Sequence, residues 1–478
     1  MLKKLIAPIL IMLAANAATA GETLKIETPL YVSNIDTSTG QIVNVTLKQY
    51  SGDSSAGKQY QIISNDGLTL TGKYFTPAEN ISQTFTHYEK HLNGNKAYLV
   101  LGNSPYSPTL KRKFVFDNDN YEITVTDTLL NNTAKSIDIA YHLSLSTPVK
   151  PKEAPLISSY KGFMYVDQND KTHKHRENSV IKSPLFGIPN PQMVAYSDRF
   201  FSTALGTTSK NKLLQSIERG DRIELVIATD IQTIARNKSF SNTTTVYAGP
   251  VTPRFINKVA DIPHLDAVLD YGFLTTISNV FFNVLSFINQ YIPNYGFAII
   301  ALTILFRLVL YPLTLKVERS NLKMKELRPE IDEIKANYNE EQSAILIKAL
   351  LADNKVNPIA SLFIPLLQLP IFLSILWMLV SNSELRDSSW ILWIKDLSSQ
   401  DPYFVLPLIF GLLIFIQTRI NAKKNADRPT EDYIKFALNF MPIPMFLIFT
   451  MLPAGIVLYA ITNTAITMGT RAVANQKA

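Results

Sequence analysis

The 478 residues include 46% hydrophobic side chains and no cysteine, and they carry a formal net charge of +7. That length allows two or more domains, and the lack of cysteine excludes disulfide staples and thiolate metal sites. Lys and Arg lie mostly in loops beside apolar runs, not on a basic face interleaved with aromatics, which argues against nucleic acid as a partner.

Residues 1–20, "MLKKLIAPILIMLAANAATA", combine two lysines, an apolar stretch from Leu5 to about Ala15 and the small residues Ala18, Thr19 and Ala20. They read as a signal peptide or a short N-terminal membrane anchor, either of which delivers Gly21 onward outside the cytoplasm. From Glu22 to about Arg254 the pattern has period two, as in "YEITVTDTL" (Tyr121 to Leu129) and "RIELVIATD" (Arg222 to Asp230). Asp66-Gly67 and "DNDN" (Asp117 to Asn120) read as hairpin turns. The expectation over 21–255 is a β-sandwich.

Residues 256–292 read as a linker and an interfacial amphipathic helix. Ile277, Val280, Phe281, Val284, Leu285 and Ile288 share one helical face, with Asn279, Asn283, Ser286 and Gln290 opposite. Five charge-poor runs then fill 293–470: 295–315, 359–380, 403–418, 436–451 and 455–470. The first two reach ~30 Å by helical rise, and the last three need a locally thin bilayer. Basic residues crowd 316–357 and 419–435 but are sparse in 381–402, so the positive-inside rule predicts that the first two segments and the 471–478 tail are cytoplasmic. The sandwich is then outside. Within 316–357, Met324, Leu327, Ile331 and Ile334 share a face and the chain reverses near Asn337 to Gln342, which predicts a cytoplasmic helical hairpin.

Arg307 stands inside the first run, about eight residues from its cytoplasmic end, roughly 12 Å deep. A guanidinium there costs at least ~2.5 kcal/mol on insertion scales, and intramembrane charges are usually functional. None of the five runs contains Asp or Glu, and the last histidine is His264, so a carboxylate mate is missing from the spans. A water-filled pocket resolves the conflict. Thr303 and Thr314 wet the same helical face, and Gln368, Ser374, Gln417, Asn439, Thr462, Asn463 and Thr464 are further candidate walls. Prolines such as Pro312, Pro370 and Pro444 should kink helices and help open a cavity. With no acidic or histidine relay in the spans and no Walker-type loop, coupled transport and ATP use find no support. A positive pocket open to the cytoplasm suits an anionic group on an incoming peptide.

The stretches "YGFAIIALTILFRLVLYPLT", "NPIASLFIPLLQLPIF" and "SELRDSSWILWIKDLSSQDPYFVLP" resemble the core of the YidC membrane protein insertase family, over roughly Asp261 to Thr470, with weaker matches at "SDRFFSTAL" and "TVYAGP". The resemblance implies five spans around a hydrophilic groove open to cytoplasm and lipid. It places the family arginine on Arg307, and substrate-contacting positions on Thr303, Gln368, Tyr459 and Asn463. It also implies a mutarotase-like supersandwich as the periplasmic domain of a Gram-negative inner-membrane protein, with nascent membrane proteins, lipids and the Sec translocon as partners. The pattern departs from the family at Leu362, where a small residue or cysteine is usual, and at Pro365, one position later than the usual proline. A basic ribosome-docking tail is weakly supported, because only Arg471 and Lys477 are basic after Thr470.

The expected function is therefore a non-enzymatic insertase and chaperone, without cofactor or metal. The rival readings are an anion channel or transporter using Arg307, and a membrane-anchored periplasmic carbohydrate-binding or carbohydrate-active protein.

Overall fold

The computed structural model describes residues 23–52, 59–75, 85–93, 96–102, 108–149, 160–269, 274–354, 356, 360–424 and 440–476. Residues 1–20 and Asn439 lie outside them. The chain divides into two compact units, Met1–Asp270 and Tyr271–Ala478.

The first unit is sheet-rich and antiparallel. A nine-stranded sheet runs in spatial order Thr172–Arg176, Gly162–Val166, Met193–Ser197, Phe201–Thr207, Ser239–Pro250, Glu122–Leu130, Thr109–Asp117, Lys96–Gly102 and His87–Asn93. A six-stranded sheet is centred on Ile137–Pro148, flanked by Arg222–Thr229 and Thr69–Phe75. A four-stranded sheet takes the first four strands, from Thr23–Glu27 to Gln59–Ile63. Two short helices, α1 (Glu177–Lys182) and α2 (Pro253–Ile256), complete the unit.

Period two decides what is buried. Along Thr109–Asp117 the inward set is Leu110, Arg112, Phe114 and Phe116, so the alternation carries an arginine into the core. Its cross-strand neighbour is Asp127, and the pair is bidentate: Nε to Oδ1 at 2.7 Å and Nη2 to Oδ2 at 2.8 Å. Arg112 Nη1 also donates to the Gly40 carbonyl at 2.9 Å. Both side chains are almost fully buried, at 3% and 2% exposure, so every one of these bonds offsets desolvation.

The two predicted turns fare differently. "DNDN" joins Thr109–Asp117 to its neighbour Glu122–Leu130, with Asp117 Oδ1 accepting from the amides of Asp119 and Asn120. At Asp66-Gly67 a turn forms, closed by Ser64 N to Leu68 O at 2.9 Å, but no hairpin follows. Gln59–Ile63 pairs with Gln41–Ser51 while Thr69–Phe75 pairs with Ile137–Pro148, so the turn hands the chain from one sheet to another.

The second unit is helical: α3 (Thr275–Tyr291), α4 (Tyr295–Glu326), α5 (Arg328–Asn337), α6 (Glu340–Asp353), α7 (Ala360–Ser381), α8 (Val405–Lys424), α9 (Pro442–Thr450) and α10 (Ala454–Gln476). α4 continues eleven residues beyond Leu315 and carries Pro312 inside it. Among the described residues one helical stretch, Tyr295–Met324, is by itself long and apolar enough to cross a membrane, and the apolar stretches Gln368–Val380 and Val405–Ile420 are shorter. α5 and α6 reverse at Tyr338, where Asn339 caps α6 by accepting from the Gln342 amide, and they bury Leu327, Leu351 and Val356 between them.

α3 divides the apolar face expected from its sequence: Phe281 and Leu285 are buried, together with Ser278 and Phe282, while Ile277 and Val280 are exposed. The cause is two-sided packing: α3 lies against α4, with Phe281 and Phe306 ring centroids 4.6 Å apart, and against α7, where Ser278 Oγ donates to the Ser374 carbonyl at 3.0 Å.

The segment between α7 and α8 folds over the N-terminal ends of α4 and α10. Tyr295 hydrogen-bonds Glu384, Asn294 Nδ2 reaches the Trp390 carbonyl at 3.1 Å, and Gly455 N donates to Leu397 O at 2.9 Å. Asp401, 1% exposed, accepts from Trp393 Nε1 and from the Leu406 amide, capping α8. This end of the helical unit is packed on buried Leu385, Ile394 and Leu397.

Candidate functional site

Three helices meet around Arg307. On α4, Thr303, Arg307 and Leu310 follow at i, i+4 and i+7, with Phe306 beside them. On α7, Gln368, Ile371 and Ile375 follow at i, i+3 and i+7, and on α10 Tyr459 and Asn463 lie one turn apart. These nine residues line a small recess that is partly open to the surroundings. All five residues singled out from sequence, Arg307, Thr303, Gln368, Tyr459 and Asn463, are among them.

Arg307 is half-buried, and its Nε donates to Asn463 Oδ1 at 2.7 Å. None of the ion pairs among the described residues includes Arg307. Thr303 is 2% exposed and its hydroxyl donates to the Ile299 carbonyl one turn back at 2.7 Å. It therefore offers the recess lone pairs and no proton. Tyr459 is buried, with its ring 6.1 Å from that of Phe372. The chemistry of the recess is lopsided: a cation whose side-chain partner is a neutral amide, flanked by uncharged polar groups and apolar walls.

Several other polar candidates lie elsewhere. Ser374 is fully buried, donates to the Pro370 carbonyl at 2.7 Å and receives Ser278 at its own carbonyl, so it ties α7 to α3. Thr462 donates back to the Leu458 carbonyl, and neither it, Thr464 nor Gln417 lines the recess. Thr314 likewise bonds back, to Leu310 O at 3.0 Å, and lies beyond the lining residues. Small hydroxyls in apolar helices find the carbonyl one turn back, which removes their donor from any cavity. The apolar walls Phe306, Leu310, Ile371 and Ile375 had no signal in the sequence, because Leu and Ile occur on every face of these helices. No group of His, Cys, Asp or Glu suited to a metal ion occurs among the described residues.

The α4 face away from the recess is apolar and open: Ile304, Leu305, Leu308 and Val309 are 43% to 66% exposed. Such a surface suits lipid or an apolar helix.

A family model described as YidC periplasmic domain matches residues 23–284, and one described as 60Kd inner membrane protein matches residues 287–478. Membrane protein insertase YidC sequences from Francisella tularensis subsp. holarctica (strain LVS) and subsp. novicida (strain U112) are each 29% identical over 445 residues, covering 90% of this chain and 79% of theirs. Among solved structures, an active YidC insertase with its first transmembrane domain resolved is 17% identical, with a TM-score of 0.37, over 95% of this chain and 93% of that one. YidC from Thermotoga maritima is 14% identical, with a TM-score of 0.34, over 95% and 98%. A galactose mutarotase-like protein from Lactobacillus casei is 10% identical, with a TM-score of 0.29, over 48% of this chain and all of its own. With a periplasmic-domain match that spans more than half of its length and an inner-membrane match over residues 287–478, the chain belongs to the YidC family.

Proposed function

We propose that this protein is a non-enzymatic insertase and chaperone of the inner membrane, and that the recess around Arg307 receives the acidic or polar tail of an incoming membrane protein. The observation that carries the reading is Arg307 itself: a half-buried guanidinium with a neutral amide, Asn463, as its side-chain partner and room beside it. A client carboxylate supplies the counter-charge the spans lack. One such charge-assisted bond contributes ~1 to 3 kcal/mol, enough to bias insertion without trapping the client. Water in the recess keeps the guanidinium solvated between clients, and a locally thin bilayer shortens the polar tail's path.

In this reading the sandwich is periplasmic and the α5/α6 hairpin and C-terminus are cytoplasmic. The runs 295–315, 359–380, 403–418, 436–451 and 455–470 cross the membrane. The client's apolar segment moves into lipid along α7 and α10. The closed α7–α8 segment fits an outward-facing seal, which leaves the recess to open inward and sideways. Nascent membrane proteins, surrounding lipids and the Sec translocon are the partners.

Site-specific crosslinking tests the reading. Photoreactive side chains at positions 303 and 307 are expected to capture nascent membrane proteins during insertion. Labelling of lipid alone would overturn it. Anion conductance by the purified protein in liposomes would favour a channel instead.

A further inference from the structure

The polar lining does not end at Asn463. α4 and α10 are joined at a second level, where Arg471 Nε donates to Glu318 Oε1 at 3.2 Å. Glu318 lies eleven residues after Arg307, three turns along α4, which returns it to the same face within about 20°. Arg471 lies eight residues after Asn463, roughly 12 Å along α10. The two helices therefore carry a seam with a guanidinium at each end, Arg307 on one helix and Arg471 on the other.

Between these ends stand Thr314, Thr467 and Thr470, all half-buried. Their hydroxyls donate to the carbonyls of Leu310, Asn463 and Ile466 at 3.0, 2.7 and 2.9 Å. Each is left with acceptor capacity only. The seam thus solvates a passing peptide N–H with threonine oxygens but offers a carboxylate two well-separated positions, the two guanidinium groups.

The ion pair at the far end has the properties of an exchangeable one. Its side chains are 21% and 40% exposed for Glu318 and Arg471, against 2% and 3% for the core pair Asp127 and Arg112. A pair that open to water contributes little. Replacing the Glu318 carboxylate on Arg471 by another carboxylate exchanges one bond for a like one. Glu318 is then a resident stand-in for a client's acidic group.

We propose that Glu318 and Arg471 form the receiving station of the groove: an acidic side chain on a client displaces Glu318 from Arg471, and then moves along the seam to Arg307. This rests on the insertase reading above and adds to it a selection step. Only a tail carrying a carboxylate can compete with Glu318, so the pair discriminates acidic tails from merely polar ones before the deeper site is reached.

The test uses the full-length protein in proteoliposomes and a single-span client whose short outgoing tail carries either Asp or Asn. Arg471→Gln is expected to slow insertion of the Asp-tailed client about three- to tenfold and to leave the Asn-tailed client within about twofold, each tenfold corresponding to 1.4 kcal/mol. Glu318→Gln removes the competitor and is expected to speed the Asp-tailed client about threefold. Arg471→Lys keeps the charge and is expected to restore most of the rate, which guards against a folding defect. Equal losses for both tails would overturn the proposal, leaving the pair as a helix clip. So would a loss that tracks the fraction of anionic lipid and not the tail charge. Arg307→Ala, run beside them, separates the two levels: if it impairs the Asp-tailed client while Arg471→Gln does not, the receiving station fails alone. If Arg307→Ala has no effect, the recess reading itself fails.

Discussion

Nε of Arg307 and Oδ1 of Asn463, 156 positions apart in the chain, meet at 2.7 Å and tie α4 to α10 at the level of the recess. The acceptor is an amide, and that choice leaves the positive charge of Arg307 uncompensated within the side-chain lining.

Asn463→Asp would supply the missing counter-charge with almost no change of shape. The carboxylate is expected to hold Arg307 with a bond stronger by about 1 to 2 kcal/mol than the amide does, and to compete with client tails. Insertion of acidic-tailed clients should fall about tenfold while helix content stays constant. Circular dichroism alongside an in vitro insertion assay reads both. Asn463→Ala, which removes the tether but adds no charge, should cost less than Asn463→Asp. The reverse order would mean that Asn463 serves to position Arg307 and not to leave it available.

In the sandwich the opposite arrangement holds, since Arg112 is fully neutralised by Asp127. Removing either partner alone strands a buried charge. Arg112→Ala or Asp127→Ala is expected to lower the stability of this unit by about 3 to 5 kcal/mol. The double substitution Arg112→Met/Asp127→Leu should be much milder than the sum of the two singles. Thermal unfolding followed by near-ultraviolet tyrosine signals measures this, because all three tryptophans lie after residue 376.

Gly296 starts α4 beneath the indole of Trp390. A Cβ added there would meet the ring inside van der Waals contact and lie 2.8 Å from the Trp390 Cβ. The tryptophan belongs to the α7–α8 segment, held by Asn294 Nδ2 on its carbonyl. Gly296→Val is therefore expected to destabilise the helical unit by about 1 to 3 kcal/mol through overpacking. A red shift in tryptophan emission would report the displaced ring, and an unchanged spectrum with unchanged melting would refute the fit.

Acidification should weaken the sandwich near neutral pH. Burial lowers the pKa of His142, partly opposed by Glu224, and burial followed by the charge of His173 lowers that of His175. For both groups the unfolded chain takes up its proton first, near pH 6.5. Their stabilising contribution is present above that value and is lost as pH falls from about 6.5 through the lower folded-state pKa values. The melting midpoint of the sandwich should drop across this window, and His175→Phe, which keeps an aromatic stack on Tyr165, should flatten the decline. A midpoint that rose with acidification would contradict the assignment.

What could be read from the linear chain depended on whether the decisive information was local. Arg307 stands out because a charge inside an apolar run is conspicuous, and its lack of an acidic mate could be checked by inspection. Gln368 and Asn463 were two of seven polar candidates, and only the packing of α4, α7 and α10 sorts them from Ser374, Thr462 and Thr464. That sorting turns on which side of a helix faces a neighbour and on a hydroxyl's habit of bonding one turn back, neither of which composition records. Arg112 illustrates a signal present but unread: it occupies the inward set of an alternating strand. At Asp66-Gly67 the turn was legible and the pairing was not, since Thr69–Phe75 finds its partner in Ile137–Pro148, more than sixty residues further along. Which residues of α3 meet α4 and α7 was likewise beyond its periodicity, since two partners press on it.

Pro312 lies between Arg307 and Glu318, and it lacks the N–H that would bond the Leu308 carbonyl. α4 is thus stiff on either side and compliant at one point. Bending there leaves the Asn463 tether undisturbed while it swings the stretch of α4 from residue 313 to Glu326, so the gap between Glu318 and Arg471 on α10 can widen or narrow without any loss of contact at Arg307.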